Sequence, residues 1–267
     1  METVKQFALI TGATSGIGFE LAKLFAKDKF NLIIVARNEE DLKTTASVLE
    51  QYLIEVITIS KDLFEPDAAF ELYEEIKDKN IQIDVLVNDA GQGVYGKFIE
   101  TDINREVDII QLNISSLVTL TKLFVQEMVN RGSGKILNLA SIASKSPGPY
   151  QAVYHGTKAF VHSFNEAVRN EIKDTGVTIT SLLPGATDTD FFTKADMLDS
   201  KAVQEGELAD AADVAKDGYE AMKAGKDMVV SGFKNKVQVA LGNITPDSLQ
   251  AAQTAKVQEP VDGSDKK

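Results

Sequence analysis

The chain has 267 residues, a formal net charge of -12, 43% apolar residues, no cysteine and two histidines, His155 and His162. Length and balance fit one large globular domain, while the missing cysteines exclude disulfides, thiol catalysis and thiolate metal ligands. Two histidines make a multi-histidine metal centre or a conventional triad hard to assemble, and the negative charge disfavours nucleic-acid backbones and anionic membranes.

No stretch reads as long and apolar enough to span a bilayer, and METVKQF runs into a strand-like segment without the basic and apolar regions of a signal peptide. The expectation is a cytoplasmic protein. Short runs rich in Ile, Val and Leu then alternate with segments of helical period, which implies a parallel sheet with right-handed crossovers and helices on both faces. FALI at 7–10 leads into TGATSGIG at 11–18, after which Ile17, Leu21, Leu24 and Phe25 share one helical face. Gly12, Gly16 and Gly18 permit a tight bend and a close backbone approach, so that amides at the helix start can meet a pyrophosphate; a merely crowded turn is the alternative. No Lys-Ser or Lys-Thr follows the last glycine, so the Walker pattern is absent.

NLIIV at 31–35 ends in Ala36 and Arg37, where a dinucleotide fold faces the adenosine ribose. Arginine there suits a 2′-phosphate and favours NADP(H), with NAD(H) still open; a surface arginine paired with Glu40 or Asp41 is the alternative. IEVITI at 54–59 and DVLV at 84–87 are further strands, and Phe70, Leu72, Tyr73 and Ile76 mark a helix between them. Beyond these the pattern predicts a helix over 101–130, a strand at 135–140, a helix over 153–174, a strand at 177–183, a helix near 210–225 and a strand near 228–232, seven strands in all. Segment 190–205 interrupts the alternation. Its Phe191, Phe192, Met197 and Leu198 either pack a short helix on the core or roof an apolar pocket.

YHGTK at 154–158 lies in the helix over 153–174, where a spacing of four puts Tyr154 and Lys158 on one face. An ammonium beside a phenol favours the phenolate and lowers its pKa from the reference of roughly 10. His155 is turned away by about 100 degrees. Singly, Tyr154, Lys158, Ser141 and Asn113 each have an ordinary structural reading as core aromatic, solvated amine, turn residue and buried helix residue.

Together these motifs resemble the classical short-chain dehydrogenase/reductase family over nearly the whole chain up to about residue 232. Thr11 through Gly18 match its Thr-Gly-x-x-x-Gly-x-Gly, Tyr154 and Lys158 its Tyr-x-x-x-Lys, Ser141 the serine thirteen places before the tyrosine, and Asn113 in QLNIS its helical asparagine. Asp62 looks like the adenine-contacting acid, and Pro184, Gly185 and Thr189 look like the segment on the nicotinamide side. One departure stands out: the usual Asn-Asn-Ala-Gly is here Asn88, Asp89, Ala90, Gly91. The C-terminal run VVSGFKNKVQVALGNITP also differs from the family's common ending, so its usual tetramer does not simply carry over.

The resemblance implies a single Rossmann-type three-layer α/β sandwich over 1–232 with a lid at 187–205, an extension at 233–258 packed on it and a flexible tail at 259–267. It implies catalysis by Asn113, Ser141, Tyr154 and Lys158. Nucleotide contacts are expected from Gly12, Thr14, Ser15, Gly16, Ile17, Gly18, Arg37, Asp62, Leu63, Asn88, Ala90, Gly91, Tyr154, Lys158, Pro184, Gly185, Thr187 and Thr189. The expected reaction is NADPH-dependent reduction of an apolar or acyl-type ketone or aldehyde, with no metal. Substrate walls are expected from 92–96, 146–150 and 187–200, and the assembly is expected to be a homo-oligomer, dimer or tetramer. An NAD-dependent alcohol dehydrogenase and a non-catalytic nucleotide-binding scaffold are the alternatives.

Overall fold

A computed structural model describes residues 5–242 and 244–261. Seven strands form one parallel sheet: β1 (Phe7–Thr11), β2 (Asn31–Ala36), β3 (Val56–Ser60), β4 (Val85–Asn88), β5 (Gly134–Leu139), β6 (Val177–Leu183) and β7 (Met228–Val230), in the order β3-β2-β1-β4-β5-β6-β7. The expected fold class is the observed one. The strands were legible as short, largely apolar runs, most clearly in β1, β2 and β4, which are buried almost throughout as parallel strands covered on both faces are. β7 ends at Val230, short of the expected 232, because Gly232 at φ +81° turns the chain away.

Alternate strand residues feed two cores, one on each face of the sheet. On one face α1 (Gly16–Lys27), α2 (Glu39–Leu49) and α9 (Ala211–Lys223) bury Leu21, Phe25, Leu42, Val214 and Met222 against Ala8, Ile10, Leu32 and Ile34. On the other, α3 (Ala68–Asp78) and α5 (Leu117–Arg131) bury Leu72, Ile76, Phe124 and Met128 against Leu9, Ile33, Leu86 and Ile136. Strand order reverses between β1 and β4, and a ligand crevice opens at such a switch point, beyond the carboxyl ends of the strands.

The expected helix over 101–130 is α4 (Ile103–Ile110) and α5 joined by a π-helical turn, Gln111–Ser116, so that one helical run covers 103–131. By length and composition alone this run is apolar enough to cross a membrane, contrary to the expectation above. Its Ile109, Leu112, Leu120, Phe124 and Met128 lie buried among the strands, as in a core helix. The YHGTK helix is α6 (Ala152–Glu171).

The irregular segment 190–205 holds two short helices, α7 (Phe191–Lys194) and α8 (Lys201–Gln204), and after β7 follow α10 (Phe233–Gly242) and α11 (Asp247–Gln258). Of the expected tail at 259–267, residues 262–267 lie outside the described residues. Glu259 to Val261 are tied to segment 190–205: the Lys201 amide donates to Glu259 O at 3.0 Å, and the Val261 amide to Asp199 O at 3.0 Å.

Candidate active site

At the carboxyl ends of the strands lies a cavity of about 1550 Å³ whose wall includes the glycine turn, Arg37, Ser141, Tyr154 and Lys158. The turn owes its shape to its glycines. Gly12 has φ +71° and Gly16 φ +55°, a region L side chains rarely adopt, and a Cβ on Gly16 would stand 2.8 Å from Thr189 Cγ2. A Cβ on Gly18 would overlap Asp89 Oδ2 and Gly12 O. Ser15 caps α1 in an extended conformation without a side-chain bond to the first amides. Thr14, Ser15, Gly16 and Ile17 line the cavity, whereas Gly18 sits behind the turn.

Beyond the end of β2, Arg37 stands 5.2 Å from the centre of the Phe64 ring, and its Nη1 lies 4.0 Å from Asp62 Oδ2. Its recorded acidic partner is thus Asp62 instead of Glu40 or Asp41. Asp62 Oδ1 is held by the Phe64 amide at 3.1 Å, and Leu63 receives the Ser116 hydroxyl on its carbonyl at 2.7 Å. Ala90, Gly91, Pro184, Gly185, Thr187 and Thr189 complete the wall. Asn88 does not line it; this buried side chain donates to Asn138 Oδ1 at 2.8 Å and Thr121 Oγ1 at 3.1 Å, stitching β4 to β5 and α5.

Ser141 from just beyond the end of β5 and Tyr154 and Lys158 from α6 meet in this cavity. Ser141 accepts from the Ala143 amide at 3.1 Å and donates its hydroxyl to Pro184 O at 3.4 Å, close enough to Tyr154 to act on the phenol. Lys158 is buried, its Nζ donating to Leu139 O at 2.7 Å and standing 5.8 Å from the Tyr154 ring centre. Burial pushes the Tyr154 phenol up to about 12, with the Ser141 hydroxyl pulling the other way. The sequence-based expectation of a phenol depressed by Lys158 is therefore corrected: desolvation outweighs the nearby amine, which is itself brought down to about 8 by burial, opposed by the charge of Asp89.

Asn113 sits in the π turn, off the cavity wall. Its Oδ1 accepts from the Gln92 amide at 3.0 Å, and its Nδ2 donates to Gln92 O at 2.9 Å and Thr157 Oγ1 at 3.0 Å. A Cβ placed on Gly91 would lie 3.3 Å from Asn113 Oδ1 and 3.4 Å from Lys158 Nζ, so the two groups flank the same glycine.

Above Tyr154 the Phe191 ring lies 5.0 Å away, centre to centre, so the irregular segment does roof the pocket. Phe192, Ala195 and Met197 also pack a small apolar core of their own beside Tyr95, so both readings of 190–205 hold for Phe191, Phe192 and Met197, whereas Leu198 is exposed and joins neither. Gln92 and Ser146 line the cavity, while Tyr95 and Tyr150 stack on each other at 5.7 Å.

The family profile described as short chain dehydrogenase matches residues 6–198. The chain belongs to the short-chain dehydrogenase family. It is an NAD(P)-dependent oxidoreductase of small carbonyl or alcohol compounds. An uncharacterized oxidoreductase of Staphylococcus epidermidis is 30% identical over 212 residues, 79% of this chain and 91% of that one. A ketoacyl reductase of Nostoc sp. is 29% identical over 238 residues, 89% of this chain and 78% of that one. Among solved structures, a short-chain dehydrogenase from Sphingobium yanoikuyae in complex with NADPH has a TM-score of 0.80 at 23% identity, covering 90% of this chain and 96% of that chain. A 7beta-hydroxysteroid dehydrogenase has a TM-score of 0.82 at 21% identity, covering 94% and 96%. These two likenesses show the fold.

A nicotinamide dinucleotide fits the residues present in this short-chain dehydrogenase: the turn is a cradle that any Cβ would fill, it opens onto the start of α1, and Arg37 stands beside it. Sequence reasoning missed Phe64 under Arg37, Thr157 beside Asn113, and the pair Gln151 and Gln258; it had Gln92 as a cavity wall but not as the partner of Asn113. Gln258 Nε2 lies 3.3 Å from both Gln151 Oε1 and His155 Nε2, and Tyr95 donates its hydroxyl to Gln258 O at 2.5 Å. Only Gln151 carried a local signal, three residues before Tyr154; a contact across 107 residues leaves none.

Proposed function

We propose that this enzyme reduces an apolar or acyl-type ketone or aldehyde with NADPH, and that Tyr154 delivers the proton. The supporting observation is that Tyr154, Ser141 and Lys158 share one cavity with the glycine turn and Arg37. Bound NADPH supplies the hydride. A phenol held near 12 is protonated at neutral pH, so Tyr154 is ready to act as an acid towards a carbonyl oxygen. Ser141, whose hydroxyl is held by Pro184 O at a long 3.4 Å, turns that proton to the carbonyl oxygen as negative charge develops there. Lys158 orients the nicotinamide ribose and keeps a positive charge near the phenol. Asn113 fixes the Gln92 loop and Thr157 around Lys158 and, by family resemblance, links Lys158 to solvent.

Of the nucleotide-binding set, the turn from Gly12 to Ile17 takes the pyrophosphate, with Gly18 giving the room behind it. Arg37 meets a 2′-phosphate, Asp62 and Leu63 meet adenine, and Ala90, Gly91, Pro184, Gly185, Thr187 and Thr189 line the remaining path, with Asn88 as its structural support. Phe191, Phe192, Met197, Val237, Leu241 and Val257 give the rest of the cavity an apolar lining, which supports an apolar substrate, and the ketoacyl reductase from Nostoc adds support for an acyl-type carbonyl. Exposed Ile103, Val107 and Ile110 on α4, beside Phe160 on α6, offer an apolar face for a second copy of the chain.

Steady-state assays at 340 nm across aldehydes and ketones, with NADPH and NADH, test this reading. Arg37→Ala is expected to lower kcat/KM with NADPH by about tenfold or more and to change it little with NADH, since a charge-assisted phosphate contact contributes ~1.5–3 kcal/mol. Equal or better efficiency of the parent with NADH would remove the role of Arg37 and favour an NAD-linked alcohol dehydrogenase. Nucleotide binding without turnover on any carbonyl would favour a scaffold.

A further inference from the structure

Asp89 follows Asn88 at the end of β4, and its carboxylate lies beneath the glycine turn. The carboxylate lies against Gly18 in the first turn of α1, whose amide favours its charged form. A Cβ on Gly12 would stand 2.9 Å from its Oδ2, and one on Gly18 would overlap it. Main-chain bonds hold the residue in place, since the Asp89 and Ala90 amides donate to Thr11 Oγ1 at 3.2 and 3.1 Å. Asp89 also lines the nucleotide cavity, and Ser15 gives α1 no side-chain cap, so the acid at this helix start comes from β4.

The start of α1 is also where a dinucleotide pyrophosphate is drawn. A carboxylate and a pyrophosphate sharing one helix start repel unless a proton neutralises the carboxylate. We propose that Asp89 sets nucleotide affinity by coupling binding to uptake of a proton, so that the pyrophosphate is held more tightly when Asp89 is protonated and less tightly as pH rises through neutrality. The proposal rests on the nucleotide site assigned above and concerns a residue outside the proton-transfer set. Burial already pushes Asp89 up to about 7, and the charges facing it are Lys158 from α6 and Lys194 from α7, both lowering it, with the Gly18 amide from α1 acting in the same sense. β1 presents the Thr11 hydroxyl to its main chain.

The sign follows from linkage. A bound pyrophosphate raises the Asp89 pKa further, so the complex carries more protons than the free protein near pH 7, and affinity falls as pH increases. Loss of the Lys158 proton, at about 8, is coupled to this step, because the Asp89 charge opposes it; with that charge removed, Asp89→Asn moves the Lys158 step to lower pH.

Calorimetric titration of the full chain with NADPH and with NADH, at pH 7 in buffers of different ionisation enthalpy, counts protons taken up; nucleotide fluorescence gives Kd from pH 6.5 to 8.5. Uptake of up to about half a proton is expected for both nucleotides, with Kd rising roughly five- to tenfold over that range. NADH has no 2′-phosphate, so titration of that group cannot produce its uptake. Asp89→Asn, which keeps shape and an acceptor for Gly18, is expected to abolish the uptake, to flatten most of the pH dependence and to bind more tightly than the parent at pH 8.5. Absence of uptake in the parent, or identical Kd profiles for parent and D89N, overturns the proposal while leaving the nucleotide site intact. Failure of the parent to bind either nucleotide overturns both. Should D89N not fold, the proton count on the parent decides.

Discussion

At the scale of single residues, Tyr154 and Lys158 are displaced in opposite directions by one cause. Burial penalises phenolate and ammonium alike, raising the first to about 12 and lowering the second to about 8. Carbonyl reduction needs the phenol with its proton and the ammonium with its charge. At saturating NADPH, kcat/KM for the carbonyl substrate should therefore stay level through neutral pH and fall above about 8, as Lys158 loses its proton, while Tyr154 remains protonated throughout that range. A pH profile taken with a carbonyl substrate checks this; reduction that keeps rising beyond pH 9 would show that the Lys158 charge is not required. The identities of Tyr154, Lys158, Ser141 and the glycine turn were legible because their meaning lies in short spacings. The direction of the Tyr154 shift was not, because a spacing of four places an amine near a phenol but does not reveal how much water both groups lose.

Among the elements, the π turn at Gln111–Ser116 and α11 show what apolar periodicity does not reveal. The turn inserts Asn113 between the Gln92 backbone and Thr157, an irregularity of the kind found at functional sites. Apolar periodicity predicts the helix on either side and is blind to one widened turn within it. α11 ends on Gln258, buried against Gln151 and His155, and the next residues clasp segment 190–205 through Lys201, whose Nζ meets Glu259 Oε1 at 2.5 Å. That surface ion pair contributes little by itself. Gln258→Ala removes the buried link between α11 and the substrate side of α6, so KM for the carbonyl substrate should rise about three- to tenfold with nucleotide Kd unchanged, which paired kinetics and binding titrations measure. An unchanged KM would show that α11 stands outside the substrate path. Contacts of this kind escape sequence reading because they join residues over a hundred positions apart.

In the whole molecule, the reversal of strand order between β1 and β4 gathers the signals spread along the chain. The glycine turn follows β1, Asp89 follows β4, Ser141 follows β5, Pro184 follows β6, and each strand delivers its residue to the same edge of the sheet. Alternation of buried strands with amphipathic helices made this topology readable, and the two cores secure it. α10 and α11 were less legible: Phe233, Val237, Leu241 and Leu249 remain exposed, so neither helix displays a fully buried stripe. The account depends most on the phenol of Tyr154 as the proton donor, and the direct measurement is carbonyl reduction by Tyr154→Phe with saturating NADPH, followed at 340 nm beside a binding titration of the nucleotide. Turnover should fall by about 10²–10⁴-fold with nucleotide Kd within about twofold of the parent, since the variant loses the transferable proton and keeps the ring. Near-parental turnover in a variant that still binds NADPH would contradict it.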